Sequence, residues 1–78
     1  MLTCMDCGTQ EPRELDYMVK DEIWKAAHLQ QREVCCLVCL YVRLRRLIRL
    51  EDLTDAAIND RFFRAGDIYD EDGEIIAL

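Results

Sequence analysis

The chain contains no serine, one histidine, one proline, one tryptophan and three glycines. Each shortage excludes something. Without serine, and with a single histidine, serine-type nucleophilic catalysis is not expected. Three scattered glycines make no glycine-rich phosphate loop, which removes the usual scaffold for phosphoryl chemistry. Long apolar runs are missing too. The longest, Val34 to Val42, is nine residues and is closed by Arg43, too short to span a bilayer. The opening "MLTCMDCGTQEPRELD" has neither a basic n-region nor an apolar stretch of signal-peptide length. The expected compartment is therefore cytoplasmic, in a bacterium or a host cell. No internal repeat or low-complexity linker interrupts the chain.

What remains is a folded composition. Hydrophobic residues make up 51% and charged residues 33%, a balance that suits a packed domain better than a disordered chain. Seventy-eight residues bury only a small core, and cores of this size often need disulfides, a metal or a partner subunit. The net charge of -6 argues against a surface that tracks nucleic acid throughout, while allowing a local basic patch.

Cysteine is the residue in surplus, with five copies. An odd number fits a complete disulfide set poorly, and thiols stay reduced in the cytoplasm. Four of the five fall into two C-x2-C pairs, Cys4 with Cys7 and Cys36 with Cys39. Two such pairs supply four thiolates, the ligand set of a closed structural zinc site. The short spacing lets one bend of backbone bring both sulfurs to one tetrahedral ion. Gly8, directly after Cys7, supplies the backbone freedom a tight knuckle needs. The second pair opens a helical pattern, where the amino-terminal dipole favours thiolate charge. Residues 8–35 separate the pairs, more than the 15 to 20 usual in such sites, so another element must lie between them. Buried reduced cysteines or a redox dithiol are the plainer alternatives. Cys35 can stand in for Cys36, at a less apt spacing from Cys39, or serve as a small buried hydrophobe. His28 is the other candidate ligand; a surface or partly buried histidine is the simpler reading.

Around the cysteines, Tyr17-Met18-Val19 reads as a short strand. Asp21 is placed to cap a helix from Glu22 to about Leu29, with Ile23, Ala26, Ala27 and Leu29 inward and Trp24 as its largest anchor. A longer helix is expected from Val34 or Cys35 to Leu50. On it Leu37, Leu40, Tyr41, Leu44, Leu47 and Ile48 share one arc. Arg45, Arg46 and Arg49 gather on the opposite side, with Val38 and Val42 projecting near them. Such a face is either simply solvated or covered by a partner. A second short helix follows, capped by Thr54 or Asp55 and ended by Gly66, with one of Phe62 and Phe63 facing the core. The tail "DIYDEDGEIIAL" has the Asp-Gly signal of a hairpin at Asp72-Gly73. Residues 1–66 form one expected zinc-binding domain, and 67–78 an acidic tail packed on it or extending it.

The pieces "CMDCG", "YMVKDEIW", "CCLVCLYVRLRRLIRLEDL" and "AIN" together resemble small zinc-binding proteins of bacteria and their phages. The resemblance spans about residues 4–59. It implies a treble-clef-like fold, a zinc knuckle plus a helix-borne pair, with Cys4, Cys7, Cys36 and Cys39 as ligands. It implies no particular activity. Two positions depart from that pattern: Tyr41 stands where an acidic residue is usual, and Arg45 where glycine is.

The expected fold is thus a small, mostly helical, zinc-stabilised α+β domain with short strands. The expected function is non-enzymatic, since four thiolates leave zinc no open position for water. Protein–protein binding through Val38, Val42, Arg45, Arg46 and Arg49 is expected, as in a phage- or mobile-element-encoded inhibitor or adaptor of a host protein. The alternative is a nucleic-acid-binding zinc finger using Arg43, Arg45, Arg46 and Arg49.

Overall fold

The computed structural model describes residues 2–77. Helices dominate: α1 (Pro12–Leu15), α2 (Asp21–Ala26), α3 (Leu37–Leu44) and α4 (Asp60–Ala65), with 3-10 turns at Leu50–Asp52 and Ala57–Asn59. Strand content among the described residues is two isolated antiparallel bridges, Val19 with Leu53 and Tyr69 with Ile75. The segment Tyr17–Val19 therefore contributes one bridge rather than a strand. No helix among the described residues is long and apolar enough to cross a membrane.

The core gathers residues from the whole chain. Leu37 and Leu40 of α3 meet Phe62 of α4, and Val19, Leu29, Ile48 and Leu53 close around them. Ile68 and Ile75 from the tail belong to the same buried cluster. Phe62 is buried and Phe63 exposed, the expected split between neighbours on one helix. The tail turns as its Asp-Gly signal predicts: Asp70 N–H donates to Glu74 O (2.8 Å), and Gly73 adopts φ +79°. Arg61 fastens this tail to the front of the chain. Its guanidinium donates to the carbonyls of Arg13 (2.6 Å), Asp16 (2.7 Å) and Ile76 (3.1 Å). One side chain thereby holds α1, α4 and the tail together.

Three helices differ from expectation, and the simplest case is α4, which starts at Asp60 behind Asn59 and a 3-10 turn rather than at a cap by Thr54 or Asp55. In α2 the cap position is Lys20, with no side-chain cap, and Asp21 is the first helical residue, where its charge still favours the helix dipole. The helix ends at Ala26 because His28 turns to φ +60° and Leu29 N–H reaches back to Trp24 O (3.1 Å). That rotation buries Ala27 and Leu29 and leaves Ala26 exposed.

The long helix stops at Leu44, not Leu50. Arg45 takes the left-handed conformation (φ +59°) that ends α3. Glycine is the residue with least cost there. A tertiary pairing holds the break in place. Arg46 donates to both carboxylate oxygens of buried Asp52 (2.7 and 3.1 Å), and Asp52 also accepts the Arg49 N–H (2.8 Å). The hydrogen bonds from Arg46 hold the Asp52 carboxyl below its ordinary pKa, against the opposing effect of burial. Continuing the helix would pull these groups apart. Periodicity along a single segment does not register a pairing of this kind. Of the two residues expected at the end of the core stripe, Ile48 is buried as expected, while Leu47 is 58% exposed.

Asn59 holds the remaining loops. Fully buried, it donates through Nδ2 to Met18 O (2.8 Å) and Thr54 O (3.0 Å), and its Oδ1 accepts Met18 N–H (2.9 Å). A side-chain amide here does the work of a strand pair, stitching the segment before α2 to the loop before α4.

Candidate metal centre

The first cysteine pair sits in a knuckle closed by backbone hydrogen bonds. Cys4 N–H donates to Thr9 O (2.9 Å), Gly8 N–H to Cys4 O (3.0 Å), and Met5 N–H to Val34 O (2.8 Å). Gly8 has φ +78°, the conformation its place after Cys7 predicts. The Met5–Val34 bond sets the knuckle against the residues just before Cys36. The second pair lies at the start of α3: Cys36 is its N-cap and its Sγ accepts the Cys39 N–H at 3.4 Å. In the knuckle, Cys4 Sγ accepts the Asp6 N–H at the same distance.

These two supports bring the four sulfurs together. The Sγ atoms of Cys4, Cys7, Cys36 and Cys39 all lie within 4.8 Å of one another, a group that can hold a metal ion. Cys7 Sγ and Cys36 Sγ, one from each pair, are 3.7 Å apart. Their protonation is uneven. Burial opposes ionisation of Cys4, but hydrogen bonds from the backbone of Cys36, Cys7 and Asp6 outweigh it and lower the thiol to about 6. Burial pushes Cys36 up to about 11, and Cys39 is raised by burial and by hydrogen bonds with the neighbouring sulfurs. Once one thiolate forms, the others resist joining it. A cation at the centre reverses that preference.

Cys35 and His28 lie outside the four-sulfur group. Cys35 is buried with its Sγ 3.9 Å from Asp6 Oδ2, and burial raises the thiol to about 12. It packs as a small apolar group. Cys35→Ala is expected to leave metal stoichiometry unchanged and to cost about 1 kcal/mol of stability. Elemental analysis and denaturant unfolding of the variant check both statements; loss of the metal would show that Cys35 is a ligand.

Two residues that pattern reading does not connect support the centre. Asp6, inside the first C-x2-C, accepts a two-pronged pair from Arg43 at the end of α3, with Nε–Oδ2 at 2.7 Å and Nη2–Oδ1 at 2.8 Å. Arg43 also donates to Ala27 O (3.1 Å). The knuckle, α2 and α3 thus meet at one guanidinium. Hydrogen bonding by Arg43 holds the Asp6 carboxyl below the usual carboxylate range. The only signal for this pair in the sequence is an acidic residue between two cysteines and an arginine closing an apolar run. Nearby, Tyr17 OH donates to Cys35 O, and Trp24 packs beside Tyr17 with ring centroids 6.4 Å apart.

The residues of the expected contact face part company. Val38 is half-buried on the side of α3 facing α1 and the hairpin turn, beside Glu14 and Gly73. Arg46 is engaged by Asp52. Val42, Arg45 and Arg49 remain exposed, and Arg49 reaches Glu51 at 3.4 Å. A helical face carrying all five residues does not exist, because Arg45, Arg46 and Arg49 follow the end of α3. In its place the loop after α3 borders an open groove of about 740 Å³, lined by Tyr41, Leu47, Arg49 and Tyr69 among others.

The chain matches no family model, no curated protein and no solved structure.

Proposed function

We propose that this is a non-enzymatic zinc protein that acts by binding another protein, as an inhibitor or adaptor does. The observation that carries the metal is the sulfur geometry. Zinc–sulfur bonds of about 2.3 Å in a tetrahedron put neighbouring sulfurs about 3.8 Å apart, and the Cys7–Cys36 separation of 3.7 Å matches. Four thiolates favour zinc and complete its coordination, which gives the ion a structural role rather than a Lewis-acid one. A treble-clef-like arrangement, knuckle plus helix start, agrees with Cys4 and Cys7 in a turn and Cys36 and Cys39 at the head of α3.

The loop after α3 supports protein binding. Leu47 projects into solvent between Arg45 and Arg49, with Tyr41 and Tyr69 beside it in the groove. Tyrosine and arginine are the residue types that dominate interface energetics, and an exposed leucine among them gains by being covered. The nucleic-acid reading has fewer free cations to draw on, since Arg43 and Arg46 are already paired with Asp6 and Asp52.

The double substitution Arg45→Glu with Arg49→Glu is expected to abolish capture of a protein partner from nuclease-treated host lysate. Zinc content and thermal midpoint should stay close to the parent's, because exposed charges contribute little to folding. Unchanged capture by the double variant would remove this surface from the proposal. Loss of capture on nuclease treatment of the parent, with binding that falls steeply with salt, would instead identify nucleic acid as the ligand.

A further inference from the structure

A second groove, bordered by Val34 and Cys35 just before Cys36, shares none of its described lining residues with the one beside Leu47. It is about 320 Å³, with Leu2, Leu15, Met18 and Trp24 among its apolar walls. Leu2 and Met18 stand at its mouth, 57% and 52% exposed. Among the described residues two charged side chains line it, Asp21 and Glu33, and both are acidic. An apolar slot with an acidic rim fits an apolar side chain flanked by cations.

That complement is present on the chain itself. Leu47 is an exposed leucine with Arg45 before it and Arg49 after it, on a loop held out by the Arg46–Asp52 pair. We infer that a second copy of this chain is the occupant, with Leu47 of one copy seated against Met18 and Trp24 of the next. Arg45 then faces Asp21 and Glu33, and Arg49 joins it by exchanging its exposed pair with Glu51. This rests on the reading of the Leu47 loop as a contact surface and names one partner for it. Knob and groove are different surfaces, so the contact is head-to-tail, and each copy in a series keeps one of each free. Opposite charges across the contact make the association sensitive to salt.

The experiment is sedimentation equilibrium of the zinc-loaded, reduced protein, alone and in mixtures. The parent is expected to show an average mass that rises above the 9.2 kDa chain mass with concentration and falls back as salt is added. Leu47→Asp destroys the knob and Met18→Asp the groove mouth; both side chains are exposed, so each variant should keep its zinc and its circular dichroism spectrum. Each alone is expected to sediment as a monomer. An equimolar mixture restores one intact knob and one intact groove, and it should stop at twice the chain mass. A parent that stays monomeric at every concentration overturns the inference. So does a single variant that still associates, or a mixture that does not. Lysate capture by Met18→Asp separates the two readings: retained capture with lost self-association leaves protein binding standing, and capture lost only in Leu47→Asp with a monomeric parent removes the self-contact alone.

Discussion

Cys36→Ser is expected to lose both the metal and the fold. Structural zinc in small domains contributes on the order of 10 kcal/mol, as much as the entire stability of a chain this size. Cys36 is one of the four clustered sulfurs and also the cap of α3, so the substitution removes a sulfur and loosens the start of the helix that supplies Leu37 and Leu40 to the core. Chelation of the parent should have the same result: loss of helical circular dichroism with loss of stoichiometric zinc, both restored when zinc is returned. Acid should release the metal too, since protons compete for the thiolates. A Cys36→Ser variant that keeps zinc and a cooperative thermal transition would defeat the assignment. So would a folded, reduced parent that carries no stoichiometric metal.

Asn59→Ala should be the most damaging change away from the cysteines, at about 3 kcal/mol. Truncation strips the partner from the Met18 N–H and from the Thr54 carbonyl, and each unsatisfied buried group costs roughly 1–3 kcal/mol. The Met18 carbonyl keeps a bond from Thr54 N–H (3.1 Å), so it is the least affected. Asn59→Asp tests the chemistry at nearly constant volume. It puts an acceptor where Nδ2 donates to two carbonyls, and it should do no better than alanine. Urea midpoints with an unchanged slope measure the loss, and zinc stoichiometry should be retained because Asn59 lies outside the sulfur group. A cost below about 1 kcal/mol in Asn59→Ala would mean that water replaces the amide, and that the staple is dispensable.

The parts of this protein that were legible in its sequence are those set by local chemistry. The paired cysteines, the glycine after Cys7, the helix stop at Gly66 and the Asp-Gly turn are each dictated by neighbours within a few residues, and the structure has all of them. The features that were not legible depend on residues far apart in the chain. Leucine periodicity carried the reading of α3 past Leu44, and only the Arg46–Asp52 pair explains why the backbone turns there. The same turn dismantled the expected arginine face and put Leu47 on the surface. Asn59 and Arg61 look like ordinary polar positions in sequence. Their importance comes from the backbone groups of Met18, Thr54, Arg13 and Ile76 that folding brings to them. The single-turn helix α1 went unread, because one turn leaves no periodicity to detect even with Pro12 at its start.

Arg61's grip on both the front of the chain and Ile76 has a consequence during synthesis. All four sulfurs have left the peptidyl-transfer centre once Cys39 is made, yet the guanidinium and the tail isoleucines that complete the core come later. At roughly 5–20 residues per second, the stretch from Leu40 to Ile76 takes a few seconds to translate. The core is therefore completed by Phe62, Ile68 and Ile75 only after every cysteine has been made.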